Sequence, residues 1–235
     1  MDALIFAAGK GERMRPLTET TPKPLLVCGG KRLIEWHLDK LAGIGVRRVV
    51  INTSWLADCF EPALGSGERW GLDLVYSYEG LEPLETGGGM AKAIEQMGAA
   101  PFLAVNGDVF CDVDFARLPH SPAGLAHLVM VDNPEHNPTG DFALQADGFL
   151  ASEGESRLTF SGIGMYRPEL LRDCRSEWQQ PGVAYPRFKL APILRAAMRV
   201  GKISGEHHRG QWTDVGTPER LAELDQVLRA DTQRG

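Results

Sequence analysis

A short apolar run, Leu4-Ile5-Phe6-Ala7-Ala8, stops abruptly at Gly9-Lys10-Gly11-Glu12-Arg13-Met14-Arg15-Pro16-Leu17, and Thr21-Pro22-Lys23-Pro24-Leu25 follows. A continuous apolar run bounded by glycine reads as a strand buried on both faces, which is what parallel sheets contain. Glycines at its end let backbone N–H groups approach phosphate oxygens, and nearby cations neutralise them. Taken singly, Lys10 and Arg15 read as solvated surface cations. Arg13 and Lys23 are harder to dismiss, because Pro22 and Pro24 fix the backbone on both sides of Lys23 and present its ammonium at a set place. This stretch predicts a protein that handles a nucleotide or another phosphate. It is neither of two common phosphate motifs: GxGxxG would need glycine where Met14 stands, and GxxxxGK[ST] has no match.

The rest of the chain alternates strand and helix signals. Strands are predicted at Leu4–Ala8, Val46–Asn52, Leu72–Tyr78 and Phe102–Val105, with helices at Arg32–Ile44, Ala57–Leu64 and Gly87–Met97, the last capped by Thr86. This order implies a three-layer α/β/α architecture with a mostly parallel central sheet. The second half is richer in strands: Leu125–Val131, a hairpin of Phe142–Leu144 with Phe149–Ala151, Leu158–Tyr166 and Gln211–Val215. Helices are predicted at Phe188–Val200 and Thr217–Arg229, with Thr217 as cap and Pro218 in first position. Asp173–Arg187 reads as a loop, and His207 and His208 as a polar loop before a strand. Without a linker or repeat, one domain over residues 1–235 is expected.

A net charge of −6 argues against non-specific binding to nucleic acid or to an anionic membrane. Cys28, Cys59, Cys111 and Cys174 are widely spaced and lack zinc-ligand spacing, so they read as reduced thiols of a cytoplasmic protein. The opening apolar run is too short for a signal-peptide core or a membrane span. Asp108 follows the strand Phe102–Val105, which places it at the carboxyl edge of the sheet, where ligands of open α/β sheets bind. Asp214 ends a predicted strand one turn before a helix. Each alone reads as a turn or cap aspartate; beside a phosphate loop, the pair reads as a site for a hard cation. Asp112 and Asp114 read as solvated loop acids.

The opening motif, Asn106-Gly107-Asp108, the segment from Glu79 to Gly89, and Trp212-Thr213-Asp214-Val215-Gly216-Thr217-Pro218 together resemble the sugar-1-phosphate nucleotidyltransferases over nearly the full length. The resemblance implies a Rossmann-like, glycosyltransferase-A-like fold. It also implies transfer of NMP from an NTP to a sugar 1-phosphate with release of pyrophosphate. Glu12 stands where the family usually has Thr, and Gly-Lys-Gly-Glu-Arg-Met-Arg-Pro-Leu-Thr is most similar to the short N-acetylmuramate-1-phosphate uridylyltransferase branch. The implied substrates are therefore UTP and N-acetylmuramate 1-phosphate, in a monomer or small homo-oligomer.

The implied roles follow residue by residue. Ala8, Gly9, Lys10, Gly11, Glu12, Arg13 and Lys23 would meet the nucleotide, with Arg13 and Lys23 catalytic. Glu79, Thr86, Gly87 and Gly88 would frame the nucleobase. Asn106, Asp141, Gly162 and Lys189 would contact the sugar, and Asp108 and Asp214 would bind Mg²⁺. Residues 1–120 would mainly bind nucleotide and 121–235 mainly sugar. Three further positions depart from the family: Glu79 replaces a frequent Gln, Glu85 a Gly, and Phe188 a Glu. The last departure suggests a bulkier or acidic sugar, and Arg187, Lys189 or Arg209 would pair with a lactyl carboxylate. Rival readings are other NTP and phosphate pairs (glucose 1-phosphate with dTTP, mannose 1-phosphate with GTP, phosphocholine with CTP) and a non-catalytic nucleotide-binding regulator. A UDP-sugar glycosyltransferase using Asp112-Val113-Asp114 leaves Pro22-Lys23-Pro24 unexplained.

Overall fold

A computed structural model describes residues 1–173 and 182–232. The opening apolar run forms β1 (Asp2–Phe6), with Ala3, Leu4 and Ile5 buried. The strand ends before Ala7 because that residue gives its N–H to the Asn52 side chain at 2.6 Å instead of to a neighbouring strand. A hairpin of β2 (Val27–Cys28) and β3 (Lys31–Arg32), too short to leave an apolar pattern, leads into α1 (Leu33–Gly43). There Glu35 accepts the Arg32 N–H at 2.7 Å and closes the helix start. Then come β4 (Arg48–Thr53), α2 (Phe60–Leu64), β5 (Asp73–Tyr78), α3 (Glu85–Ala93) and β6 (Phe102–Asn106).

β1 lies between β4 and β6, parallel to both, and β5 continues the parallel set beyond β4. Alternation along β1 sends Ile5 into one apolar layer, with Leu38 and Leu41 of α1, and Leu4 into the other, with Met90 and Ala93 of α3. Helices therefore cover both faces, as the predicted three-layer order requires. The crossovers run β1 to β4 to β5 on one side and return to β6 on the other, so the direction of winding reverses beside β1. Crevices for ligands form at such points, beyond the carboxyl ends of the strands.

The second half contributes β7 (Val109–Cys111), β8 (Ala126–Val131), β9 (Phe142–Leu144), β10 (Leu150–Ala151), β11 (Arg157–Tyr166), α4 (Glu169–Asp173), α5 (Leu190–Met198), β12 (Ile203–His207), β13 (Trp212–Asp214) and α6 (Pro218–Thr232). β11 runs antiparallel between β6 and β8, and its first residues pair with β9 of the β9–β10 hairpin. The register shifts between Phe160 and Gly164, where Gly162 has φ of +80°. β7 and β13 form a separate antiparallel ladder that sets Asp214 opposite Val109.

Several elements differ from the sequence expectations. β12 reaches His207, where a loop was predicted, because its backbone pairs in parallel with β8. α3 starts at Glu85 after Leu84, so Thr86 does not cap it, and the helix tightens into a 3₁₀ turn at Ile94–Gln96. α5 starts at Leu190, not Phe188: the Phe188 carbonyl is taken by the N–H groups of Gly87 and Gly88, and its N–H by Leu84. Of the predicted loop Asp173–Arg187, Asp173 closes α4, and residues 174–181 lie outside the described residues. Cys28, Cys59 and Cys111 are free thiols, while Cys174 falls in the undescribed segment. No helix among the described residues is long and apolar enough to cross a membrane.

One buried histidine couples the fold to pH. His37 of α1 stacks on Phe115, and its Nε2–H donates to the Val109 carbonyl at 2.8 Å, the residue after Asp108. Burial lowers its pKa from 6.5 to about 4. The folded pKa is depressed, so the unfolded chain takes up this proton first as pH falls. The stabilising contribution of neutral His37 is complete above pH 6.5 and is lost towards pH 4, at about 1.4 kcal/mol per pH unit. Urea unfolding at pH 7 and pH 5 should show the wild type losing ~2 kcal/mol more than His37→Gln. Equal losses would place the pH dependence elsewhere.

Candidate active site

The reversal beside β1 opens a cavity of about 600 Å³, lined by the glycine loop, Lys23, Asn52, Glu79, Glu85, Asn106, Asp108 and Gly216. Gly11 adopts φ of +62°, and a β-carbon there would stand 2.9 Å from the Thr18 methyl. The Thr18 hydroxyl donates to the Gly11 carbonyl at 2.7 Å and fixes the bend. The following 3₁₀ turn, Glu12–Met14, buries Met14 in an apolar cluster and leaves Arg13 exposed at the cavity. Lys10 reaches across to Glu82 at 3.0 Å, an exposed pair tying the loop to the 80–85 segment.

A buried polar chain holds the floor. Asn52 accepts the Ala7 N–H with Oδ1 and donates Nδ2 to Glu79 Oε1, each at 2.6 Å. Glu79 Oε2 accepts the Leu84 N–H at 2.7 Å. Burial raises the Glu79 pKa, and the hydrogen bonds from Leu84 and Asn52 oppose that rise. Three strand ends and the turn before α3 are thereby set relative to one another.

Lys23 starts a 3₁₀ turn, Lys23–Leu25, and is only 9% exposed. Its Nζ donates to Asp108 Oδ2 at 2.6 Å. Asp108 follows β6, and its carbonyl accepts the Val215 N–H at 2.9 Å, so the β7–β13 ladder brings Asp108 and Asp214 side by side. A β-carbon on Gly216 would lie 3.2 Å from Asp214 Oδ2 and 3.6 Å from Arg13 Nη2, which places these groups around one point of the cavity wall. Both Asp214 oxygens accept from Arg220 Nη1 at 2.8 Å, and His136 Nε2 stands 3.2 Å from Oδ1. The opening stretch with Arg13 and Lys23, the residues after β6 with Asp108, and β13 with Asp214 thus meet at one end of the cavity.

The two aspartates are hard oxygen donors. Among the described residues, no group of three or more His, Cys, Asp and Glu could hold a metal unaided. Asp108 lines the phosphate-sized cavity and Asp214 stands next to Gly216 of its wall, a pair of donors that fits Mg²⁺, which keeps water and substrate phosphate oxygens in its shell.

A second cavity of about 200 Å³ adjoins the first and shares Phe6, Thr86 and Asn106 with it. Asn106, Asp141 and Gly162, three of the residues assigned to the sugar from the sequence, line it between Phe142, Phe160, Tyr166 and Leu190. Asp141 Oδ2 accepts the Phe160 N–H at 2.8 Å. A β-carbon on Gly162 would meet Asn106 Nδ2 at 2.4 Å, so only glycine leaves that amide in place.

Other expected contacts fall differently. The N–H groups of Gly87 and Gly88 both bond the Phe188 carbonyl, at 3.0 and 3.1 Å, and neither glycine lines either cavity. Their β-carbons would meet Phe188 at 2.4 Å and the Pro186 carbonyl at 2.5 Å. The close approach they permit is to the 186–188 segment, which leaves no N–H to read a base edge. Thr86 lines both cavities, but its hydroxyl oxygen accepts the Leu190 N–H at 3.0 Å. Lys189, exposed before α5, lines neither cavity. Glu85 sits at φ of +63°, a left-handed position that favours glycine, and pairs with Arg187 at 3.0 Å. The sequence reading missed Asn52, although it lies near the carboxyl end of an apolar strand, as Asn106 does. Arg220 stands six residues from Asp214, in the first turn of α6, whereas His136 left no local signal, since only the fold brings it there.

Comparison with known proteins follows the same direction. The model of the nucleotidyl transferase family matches residues 2–144. The chain is 49% identical to N-acetylmuramate alpha-1-phosphate uridylyltransferase of Neisseria meningitidis, over 98% of this chain and 99% of that one. It is 32% identical to the protein of the same name from Caulobacter vibrioides, over 92% of each. Among solved structures, a putative glucose-1-phosphate thymidylyltransferase from Bacillus anthracis superposes with a TM-score of 0.82 at 20% identity, covering 97% of this chain and 95% of that chain. At that identity the likeness speaks for the fold.

Replacing Asn52 by Leu would strand the Ala7 N–H and leave the buried Glu79 carboxylate short of a donor. The expected cost is about 2–4 kcal/mol in urea unfolding, with nucleoside triphosphate binding weakened roughly 10-fold or more by titration calorimetry. Unchanged binding would mean that the chain from Ala7 to Glu79 does not set the cavity.

Proposed function

Because the chain belongs to the nucleotidyl transferase family, we propose that it transfers UMP from UTP to N-acetyl-α-muramate 1-phosphate, giving the UDP-sugar and pyrophosphate. The convergence of Arg13, Lys23, Asp108 and Asp214 on one end of the larger cavity carries the chemistry. The near-full-length likeness to two uridylyltransferases supports the choice of substrates.

The reaction is an in-line displacement. An oxygen of the sugar phosphate forms a bond to the α-phosphorus of UTP as the bond from that phosphorus to the β-bridging oxygen breaks, and the electron pair leaves with pyrophosphate. The attacking group is already an anion, so no general base is needed. Positioning and charge neutralisation supply the rate. Lys23 has three N–H donors and uses one on Asp108, which leaves others for the α-phosphate and the charge that develops there. Arg13, with no acid partner among the described residues, takes the β- and γ-phosphates and steadies the leaving group. Asp108 and Asp214 would hold Mg²⁺, which supplies charge neutralisation at the phosphate oxygens when bound. Arg220 and His136 fix the Asp214 carboxylate. The nucleotide occupies the larger cavity, with Glu79 at the base end, and the sugar the smaller, against Asn106, Asp141 and Gly162. In this division residues 1–120 mainly serve the nucleotide and 121–235 mainly the sugar. Reduced thiols suit a cytoplasmic enzyme, working as a monomer or small homo-oligomer.

Pyrophosphate release measured with UTP, dTTP, GTP and CTP against N-acetylmuramate 1-phosphate, N-acetylglucosamine 1-phosphate, glucose 1-phosphate, mannose 1-phosphate and phosphocholine tests the reading. UTP with N-acetylmuramate 1-phosphate should give the highest kcat/KM. Preference for another pair would replace the substrates, and UTP binding without turnover on any acceptor would point to a regulator. Lys23→Ala should lower kcat by roughly 100-fold or more; near-normal turnover would remove Lys23 from the chemistry.

A further inference from the structure

The cations near the smaller cavity differ in what already holds them. Arg187 is matched by Glu85 at 3.0 Å, and neither it, Lys189 nor Arg209 lines either cavity. Arg195 does line the smaller one, from the same helix that supplies Leu190, Ala191 and Leu194 to its wall. Its guanidinium carbon stands 5.3 Å from the centre of the Phe142 ring, a contact that steadies the plane of the group without using its N–H donors. It is exposed and forms no ion pair among the described residues. Asp141, the acid of this cavity, already accepts the Phe160 N–H. The remaining wall is mostly aromatic and aliphatic. A neutral sugar gives a cation in such a wall nothing to neutralise; a carboxylate on the ring does.

On the reading above, on which this rests, we propose that Arg195 is the specificity residue for the acceptor: it binds an anionic substituent of the sugar ring, here the lactyl carboxylate of muramate. The substrate class is thus sugar 1-phosphates that carry a carboxylate as well as the phosphate. The planar guanidinium offers paired donors that match both oxygens of a carboxylate, a geometry an ammonium lacks. Arg195 is exposed at the cavity, so an analogue without the anion leaves its guanidinium to water and forgoes the paired contact.

The test compares N-acetylmuramate 1-phosphate, its lactyl methyl ester and N-acetylglucosamine 1-phosphate as acceptors with UTP, in the wild type and in Arg195→Met, Arg195→Lys and Arg209→Met. Wild-type kcat/KM should favour the acid over both neutral acceptors by roughly 10- to 100-fold. Arg195→Met should erase that preference mainly through KM for the acid, with Arg195→Lys in between. The proposal is overturned if Arg195→Met keeps the wild-type ratio of acid to ester, or if Arg209→Met loses it instead. Should Arg195→Met fail to fold, the wild type decides alone: equal kcat/KM for acid and ester sinks the proposal while leaving uridylyl transfer intact. Absence of turnover by the wild type with all three acceptors would instead overturn the parent reading, and this one with it.

Discussion

The contact between the buried Lys23 ammonium and the partly exposed Asp108 carboxylate, 2.6 Å long, is the interaction on which the site turns. Desolvating the lysine offsets much of what the attraction returns, and the exposed side of Asp108 is screened by water, so the pair is weak evidence for stability. Its worth lies in placement. Prolines on both sides of Lys23 and the strand end before Asp108 fix the two charges before any ligand arrives, and fixed charges need no reorganisation when charge develops between them. Arg13 and Asp214 reach the same place by different routes, one on a bend that only glycine tolerates, the other on a ladder separate from the main sheet.

The continuity of the two cavities gives this placement its reach. Phe6, Thr86 and Asn106 belong to both walls, and all three lie at element ends beside β1. A nucleotide and a sugar phosphate seated in the two cavities would therefore meet over the reversal of the sheet, next to Lys23. The second half of the chain contributes through β11, whose antiparallel course beside β6 and register shift at Gly162 bring that glycine against Asn106. The mixed sheet is what joins the two compartments.

Much of this was legible in the sequence because it rests on local rules. A buried parallel strand must be apolar throughout and must end in residues that satisfy its last backbone groups, so Leu4–Gly11 and Phe102–Asp108 announced both strand and site. Proline on each side of Lys23 announced a fixed cation. What was not legible depends on who arrives from elsewhere. Gly87 and Gly88 could signal close approach without revealing that the visitor is Phe188 of the same chain. β12 has a polar sequence and pairs as a strand because β8 offers it an edge. Arg195 carries no local signal, since only the fold brings Phe142 of β9 under it. Lys189, expected at the sugar, sits where the start of α5 turns it outward.

On the proposed mechanism, Asp108 and Asp214 hold one ion together with the triphosphate. The direct measurement is Mn²⁺ affinity in the presence of UTP, followed by electron paramagnetic resonance, for Asp108→Ala, Asp214→Ala and the double variant. Sharing predicts that each single change weakens Mn²⁺ binding by roughly 10-fold or more and that the double change adds little, because either loss already breaks the same site. Independent, additive losses, or wild-type affinity in either single variant, would contradict it.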